Sequence, residues 1–302
     1  MNEPELIEKL RGRVALRRTP GVVLGIGDDC AIVRARGATE DWLYTTDMLI
    51  EGTHFLRETH LAAEVGWKSL ARGLSDIAAM GGEARFCLLS LAVAGWVDEK
   101  WVDGFYAGLL ALAGRAGARL IGGDLARTDR VMCDIVVAGT VPRGKALRRD
   151  GAHAGDAVYV SGALGGSAVG LATRRGRAWA RHKRPEPRLA LGRFLRARVG
   201  ATAAMDLSDG LSLDLHRLCK ASGLAAEIAA PPMYRGATLE QALHGGEDYE
   251  LLFTAPVGVR VPRKFEGLAL TRIGTMRKGR AGAVEMDGEA LPPLGYDHLR
   301  SL

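Results

Sequence analysis

Five short motifs each place an aspartate beside small residues: Gly25-Ile26-Gly27-Asp28-Asp29, Thr45-Thr46-Asp47, Leu74-Ser75-Asp76, Gly122-Gly123-Asp124, and Asp206-Leu207-Ser208-Asp209-Gly210 with Asp214 just beyond. Carboxylates and hydroxyls are hard oxygen donors, and small neighbours leave room for retained waters and phosphate oxygens, as Mg²⁺ requires at its metal–oxygen distance of about 2.1 Å. Taken singly, an aspartate next to a glycine is more often a turn residue or a helix cap. Five of one design shift the balance. In a chain of net charge +6, carboxylates gathered at one place repel one another unless divalent cations neutralise them. The motifs therefore predict a Mg²⁺ cluster, provided the fold brings them together. With no obvious covalent nucleophile, aspartates plus metal suggest phosphoryl transfer, in which catalysis is mostly positioning and charge neutralisation.

The elements that must position these motifs alternate along the chain. Glu5 to Arg18 predicts an opening helix, and Gly21 to Asp29 a strand and tight bend carrying two carboxylates. Trp42 to Thr46 is a short β-rich run ending at Asp47. Val65, Leu70, Leu74 and Ile77 recur at helical spacing over Glu64 to Met80, with Gly81-Gly82 as the stop, so Asp76 falls near a helix C-terminus. A strand over Arg85 to Val93 comes next, then a helix with Trp101, Phe105, Leu109 and Leu112 on one face, ended by Gly114 or Gly117. A strand over Arg119 to Ile121 then runs into the Gly122-Gly123-Asp124 turn, and the alternating run Val131 to Val141 closes this half.

The polar, basic, turn-rich stretch Pro142 to Asp156 marks a boundary, giving an N-terminal domain over 1–145 and a C-terminal domain over 146–302. The second half repeats the alternation. It has a strand over Ala157 to Val160, a glycine-rich turn Ser161 to Ser167 opening a helix, a helix near Pro187 to Val199, a strand into Asp206 and a helix over Leu211 to Ser222. The fold class is α/β or α+β.

Composition narrows the function classes. The chain has 302 residues, 47% of them hydrophobic, enough for two buried cores, and its 40 glycines are expected in turns. Cys30, Cys87, Cys133 and Cys219 form no CxxC pair, which fits a reducing compartment rather than a zinc knuckle or a disulfide framework. The first ten residues lack an apolar signal region, and the near-apolar run Phe86 to Val97 is too short to span a membrane, so a soluble cytoplasmic protein is expected. The arginines are spread along the whole chain without an RNP or zinc-finger pattern, which argues against a nucleic-acid partner. The usual phosphate cradles are missing as well. There is no GxxxxGK[ST] loop and no protein-kinase HRD or DFG set, and Gly162-Ala163-Leu164-Gly165-Gly166 departs from GxGxxG, so it is better explained by helix packing.

Seven segments together carry a family resemblance: GIGDDCAIV, TTDMLIEGTHF (Thr45 to Phe55), VGWKSLARGLSDIAAMGG (Val65 to Gly82), LIGGDLART (Leu120 to Thr128), MDLSDGLSLDL (Met205 to Leu215), GGEDYELLFT (Gly245 to Thr254), and Gly295-Tyr296-Asp297-His298. In order and spacing the chain resembles the thiamine-monophosphate kinases over nearly its whole length. GGEDYELLF and GYDH are the most discriminating, because the wider aminoimidazole ribonucleotide synthetase superfamily shares only the aspartate motifs. Arg181 to Leu189 is similar to the family's Arg-His/Pro-x-Pro-Arg stretch. Gly73 stands where the family pattern has Asn, and Thr173 to Arg184 is shorter and more basic, which implies a different loop over the substrate.

The resemblance implies transfer of the γ-phosphate of ATP, as co-substrate, onto thiamine monophosphate, with several Mg²⁺ ions, in a homodimer whose N-terminal sheets pair as a barrel. Carried over by motif, Asp29, Thr45, Thr46, Asp47, Asp76, Asp124, Asp206 and Asp209 hold metal. Gly123, Asp124, Arg149 and Ser208 contact ATP, and His54, Glu247 and Tyr296 contact thiamine monophosphate. The acceptor is a phosphate monoester, already anionic at neutral pH, so the task is to bring two polyanions together. Its cationic thiazolium and flat pyrimidine suit a carboxylate and an aromatic face. Other ATP-using enzymes of the superfamily are the alternative: selenophosphate synthetase, aminoimidazole ribonucleotide synthetase or a hydrogenase-maturation protein. Cys30, directly after the aspartate pair, is expected to be buried rather than reactive. A non-catalytic Mg-nucleotide-binding protein is the remaining reading, and the intact carboxylates argue against it.

Overall fold

The computed structural model describes residues 3–14, 19–297 and 299, so residues 15–18 of the expected opening helix and His298 lie outside the described residues. In the first half the elements are α1 (Glu3–Val14), β1 (Val22–Leu24), β2 (Ala31–Val33), β3 (Glu40–Ile50), α2 (Ala62–Ala79), β4 (Glu83–Val93), α3 (Glu99–Ala116), β5 (Arg119–Arg127) and β6 (Met132–Pro142). A 3₁₀ turn at Arg149–Gly151 leads into the second half. There follow β7 (Ala157–Ser161), α4 (Gly166–Thr173), α5 (Gly176–Lys183), α6 (Leu189–Phe194), β8 (Ala203–Asp206), α7 (Leu211–Ser222), β9 (Ala225–Ile228), α8 (Leu239–His244), β10 (Leu251–Ala255), β11 (Lys264–Phe265), β12 (Leu268–Arg277), β13 (Val284–Met286) and β14 (Glu289–Ala290).

The first sheet runs β1-β2-β3-β6-β4-β5, antiparallel except for the parallel β4–β5 pair that α3 connects. The second runs β14-β13-β9-β12-β7-β10-β8, with β11 alongside β12, and is antiparallel except where β13 meets β9. Mixed sheets with helices bear out the α/β (α+β) class and exclude an all-parallel doubly wound fold. No helix among the described residues is long and apolar enough to cross a membrane.

Helix α2 lies at the centre. It packs on strands of the first sheet, on β8 of the second, and on α3, α5 and α6, and 14 of its 18 residues are buried. Glu64 accepts the Leu61 N–H at 2.9 Å to open it, and Gly81 at φ +67° closes it. Two glycines let α2 and α3 touch backbone to backbone. A Cβ at Gly66 would lie 1.9 Å from the Phe105 carbonyl, and one at Gly108 1.9 Å from that of Ala63. Glycines thus also serve helix interiors, not only the turns expected of them. Asp98 caps α3 at the Trp101 N–H, and of the two stop glycines Gly117 ends it, at φ +71°.

Three expectations need correction. The strand expected at Trp42 to Thr46 spans Glu40–Ile50, so Asp47 sits inside β3, held by continuous pairing with β6. The strand expected to stop at Ile121 continues to Arg127, because pairing with β4 carries Gly122, Gly123 and Asp124 in-strand. Thr173 to Arg184 is not a loop. Most of it forms α5, whose Ala178 and His182 are buried.

Candidate active site

Three carboxylates from distant parts of the chain meet. Asp29 comes from the bend between β1 and β2, Asp76 from the last turn of α2 and Asp206 from the end of β8, and one oxygen of each lies within 4.8 Å of the others. Asp29 and Asp206 are buried. Thr45 on β3 donates to Asp76 at 2.5 Å, and Ser75 donates to Asp206 at 2.6 Å. Burial first, and then the neighbouring carboxylates, push Asp76 and Asp206 well above the ordinary aspartate range. Asp28, beside Asp29, is pushed up to about 7 by burial and by its neighbour.

Arginines flank this cluster. Arg149 pairs with Asp29, and its N–H donates to Asp28 at 3.1 Å. Arg72, one turn before Asp76 on α2, holds Asp47 through Nε at 2.9 Å and Nη2 at 2.6 Å. Arg217 pairs with both Asp209 and Asp214. Asp214 is fully buried and accepts the N–H groups of Asp209 and Gly210, both at 3.1 Å, so it shapes the Asp209 bend.

The Gly245–Glu250 turn forms the opposite wall, and its four polar side chains divide the work. Glu247 faces the site from a left-handed backbone at φ +63°, and Tyr249 follows at φ +49°. Asp248 accepts the N–H groups of Gly165 at 2.5 Å and Ser167 at 3.0 Å, capping α4. The glycine-rich turn therefore serves helix packing, as expected from its departure from GxGxxG. Glu250, fully buried, is held by Arg181 at 3.1 Å, Arg188 at 2.5 Å and Ser161 at 2.5 Å. The Arg-His…Pro-Arg segment is thus the countercharge of the GGEDYE turn. Beneath Glu247, the wholly enclosed Lys68 approaches Oε1 at 2.8 Å and donates to the His54 carbonyl at 3.1 Å. Burial works to raise the Glu247 carboxyl, but Lys68, then His182 and Arg72, hold it down to about 2.

A cavity of about 410 Å³ collects most of the expected residues: Asp47, Asp76, Asp206, Ser208 and Asp209 together with His54, Glu247 and Tyr296. This volume lies within the range of small-molecule sites. A second cavity, of about 610 Å³, contains Arg149 with Asp28, Arg217 and Lys220. Thr45 is joined to the site through Asp76. Thr46, Gly123 and Asp124 do not join it. Thr46 donates to Asp134 at 2.6 Å, and Asp124 lies exposed on the edge strand β5. Gly123 has a packing reason of its own, since a Cβ there would meet the Leu89 carbonyl at 1.8 Å. Tyr296 is half exposed, and its N–H donates to the Asp209 carbonyl at 3.0 Å. Cys30 is buried, as expected.

Sequence reasoning missed Lys68, Arg72, His182 and Arg217. The first two had a usable signal: Lys68, Arg72 and Asp76 recur at four-residue spacing and so share one face of α2. The trio fits a hard divalent cation. Its donors are all oxygen, and Asp29 Oδ2 is buried without a hydrogen-bond partner.

A family model described as the N-terminal domain of AIR synthase related proteins matches residues 27–141. The chain is 39% identical to the thiamine-monophosphate kinase of Salmonella typhimurium over 98% of each chain, and 33% identical to that of Bacillus subtilis over 99% of this chain and all of the relative. Its fold is similar to a solved structure described as AaThiL complexed with AMPPCP and TMP, with a TM-score of 0.86 and 32% identity over 99% of this chain and 97% of the other. The hydrogenase maturation protein HypE, at 18% identity and a TM-score of 0.65 over 94% of this chain and 90% of the other, shares the fold alone. Full-length identity at this level, with the GGEDYE turn and the carboxylate trio in place, shows that the chain belongs to the thiamine-monophosphate kinase family.

Proposed function

We propose that this protein transfers the γ-phosphate of ATP directly to the phosphate of thiamine monophosphate, giving thiamine diphosphate and ADP, with Mg²⁺ held by Asp29, Asp76 and Asp206 and by Asp47 and Asp209 beside them. One observation carries the reading: a single cavity is lined both by the carboxylates Asp76 and Asp206 and by His54, Glu247 and Tyr296. The relatives' names and the AMPPCP and TMP of the similar structure support the same substrates.

The acceptor oxygen is already anionic at neutral pH. A bond forms from it to the γ-phosphorus as the bond to the ADP oxygen breaks, with no proton to remove. When bound, Mg²⁺ supplies charge neutralisation and Lewis acidity between the two polyanions. The chain's own groups do the rest. Thr45 and Ser75 orient the carboxylates they donate to. Arg149 lies beside Asp29 and adds a fixed positive charge toward nucleotide phosphates, and Ser208 contributes a hydroxyl at the cavity wall. Glu247, kept ionised, faces the acceptor's cationic thiazolium, and Tyr296 offers a ring face to its aromatic part.

The working unit is a cytoplasmic homodimer, each chain dividing into halves over 1–145 and 146–302. Four buried free cysteines support the reducing compartment. The exposed edge strand β5, with Ile121 and Leu125, supports pairing through the first sheet. Gly123 and Asp124 lie on that edge, so their part in nucleotide and metal binding depends on what the second chain brings to it.

The test is incubation of the purified protein with Mg-ATP and thiamine monophosphate, with and without EDTA, while thiamine species and ADP are measured. Equal, EDTA-sensitive yields of thiamine diphosphate and ADP are expected. ADP without thiamine diphosphate would mean another acceptor, and no ADP at all would mean a binding protein.

A further inference from the structure

We infer that Lys68 is a positioning residue for the acceptor, one ammonium that ties the Glu247 turn to the His54 segment and so fixes the spacing of the two groups that receive thiamine monophosphate. The inference rests on the acceptor site proposed above.

The side chain of Lys68 is 0% exposed and that of Glu247 24% exposed. An enclosed ammonium is costly unless it is paired and hydrogen-bonded, and Lys68 is ion-paired to one half of the chain and hydrogen-bonded to the other. It reaches Glu247 Oε1 at 2.8 Å and the His54 carbonyl at 3.1 Å. Glu247 is its foremost countercharge, with Asp47 contributing less and Arg72 opposing. His182 lies 3.4 Å from the other Glu247 oxygen and shares its ring nitrogen with Ser167 at 2.8 Å. His60 and His182 form one ring cluster with Trp179.

The backbone of Glu247 adds a second reason. A non-glycine residue at φ +63° is strained and persists only where its surroundings hold it. Here the Glu247 N–H donates to the Ser208 carbonyl at 2.7 Å, and Lys68 holds the side chain. Strain of this kind at a cavity wall keeps a carboxylate aimed at a ligand.

Helix α2 then works as a ruler. Lys68, Arg72 and Asp76 follow one another at four-residue steps. They engage, in order, the acceptor groups, Asp47 and the carboxylate trio. Eight residues at 1.5 Å rise set the two ends about 12 Å apart. One rigid element thereby sets the distance between where the acceptor is held and where its phosphate must react.

The test is a double-mutant cycle of Lys68→Met and Glu247→Gln, reading the KM for thiamine monophosphate, the KM for ATP and Tm. Lys68→Met is expected to raise the acceptor KM by about tenfold or more, the loss of a buried ion pair to the acceptor-facing carboxylate, with the ATP KM within about twofold. In Lys68→Met/Glu247→Gln the acceptor KM should match that of Glu247→Gln alone, because Lys68 acts through Glu247. If Lys68→Met does not fold, the double variant, free of the unpaired carboxylate, carries the comparison with Glu247→Gln. Equal rises in both KM values, or a further rise in the double variant equal to that of the single one, would make Lys68 scaffold only. A wild type that leaves thiamine monophosphate unchanged overturns the kinase reading instead, which keeps the two failures distinct.

Discussion

The metal-free protein should lose stability as pH rises through neutrality, and Mg²⁺ should restore more of it at the higher pH. The reason lies in the trio of Asp29, Asp76 and Asp206, whose oxygens lie within 4.8 Å of one another. Two unit charges at that separation repel by about 3.5 kcal/mol at an effective dielectric of about 20. Arg149 offsets part of this at Asp29. Asp76 and Asp206 nevertheless stand well above the ordinary range, and Asp28 and Asp214 at about 7, burial being the first cause in each case. A carboxyl whose pKa is raised by folding keeps its proton in the native state while the unfolded chain releases it. Such a group destabilises progressively from the unfolded value near 4 upward, until its folded pKa is passed.

Between pH 6.5 and 8.0, each proton so retained costs about 1.4 kcal/mol per pH unit, or about 2 kcal/mol in all. With an unfolding entropy of about 2.1 cal/mol/K per residue, that corresponds for 302 residues to a fall of about 3 °C in Tm. Glu247, His60 and His182, all shifted downward, act mainly below this window: Glu247 at about 2 loses its contribution only in acid, and His60 and His182 stand at about 4, against an ordinary 6.5. Thermal melts in EDTA and in excess Mg²⁺ at the two pH values test the argument. In EDTA Tm should fall across the window, and the Mg²⁺-induced rise should be larger at pH 8.0, because binding competes with protons. A flat or rising Tm in EDTA, or a Mg²⁺ shift as large at pH 6.5, would refute it.

Asp47→Asn keeps the shape that Arg72 holds while removing charge, so kcat at saturating Mg²⁺ should drop at least about a hundredfold, and Tm should fall because the largely buried Arg72 loses its countercharge; near-normal turnover would remove Asp47 from the metal set. Tyr296→Ala should raise the KM for thiamine monophosphate more than that for ATP, and steady-state titration of each substrate would show equal effects if Tyr296 lies outside the acceptor site. Glu250→Gln leaves Arg181 and Arg188 without their buried partner and should cost about 3–5 kcal/mol, read as a lower denaturant midpoint. Gly66→Ala drives a methyl group into the Phe105 carbonyl and must part α2 from α3; calorimetry should find a loss of about 2 kcal/mol or more, and an unchanged Tm would mean the helices slide apart freely.

Local signals in the sequence were enough for α2, α3, β4 and β6, whose apolar spacing and stop glycines recur at clear periods. They were also enough for the aspartates as oxygen donors, since an Asp beside small residues is visible one motif at a time. The short strands after Ser222 had no such signal. Strands of two to five residues, such as β9, β10 and β11, are held by pairing with β7, β8 and β12, not by their own pattern. The Arg181–His182…Arg188 segment could be matched to a family pattern, but its role as countercharge to Glu250 and Glu247 depends on two segments more than sixty residues apart meeting.

The same division runs through the whole site. Residue type and spacing determined which groups could bind Mg²⁺ and which helix face carried Lys68, Arg72 and Asp76, because those properties belong to single elements. Only the tertiary structure decided that Asp29, Asp76 and Asp206 form one cluster while Asp124 lies on an exposed edge. It also decided that the carboxylates come with Arg72, Arg149 and Arg217 as partners. Convergence of charges is set by how sheets and helices pack through a shared core, and short-range periodicity carries no record of that.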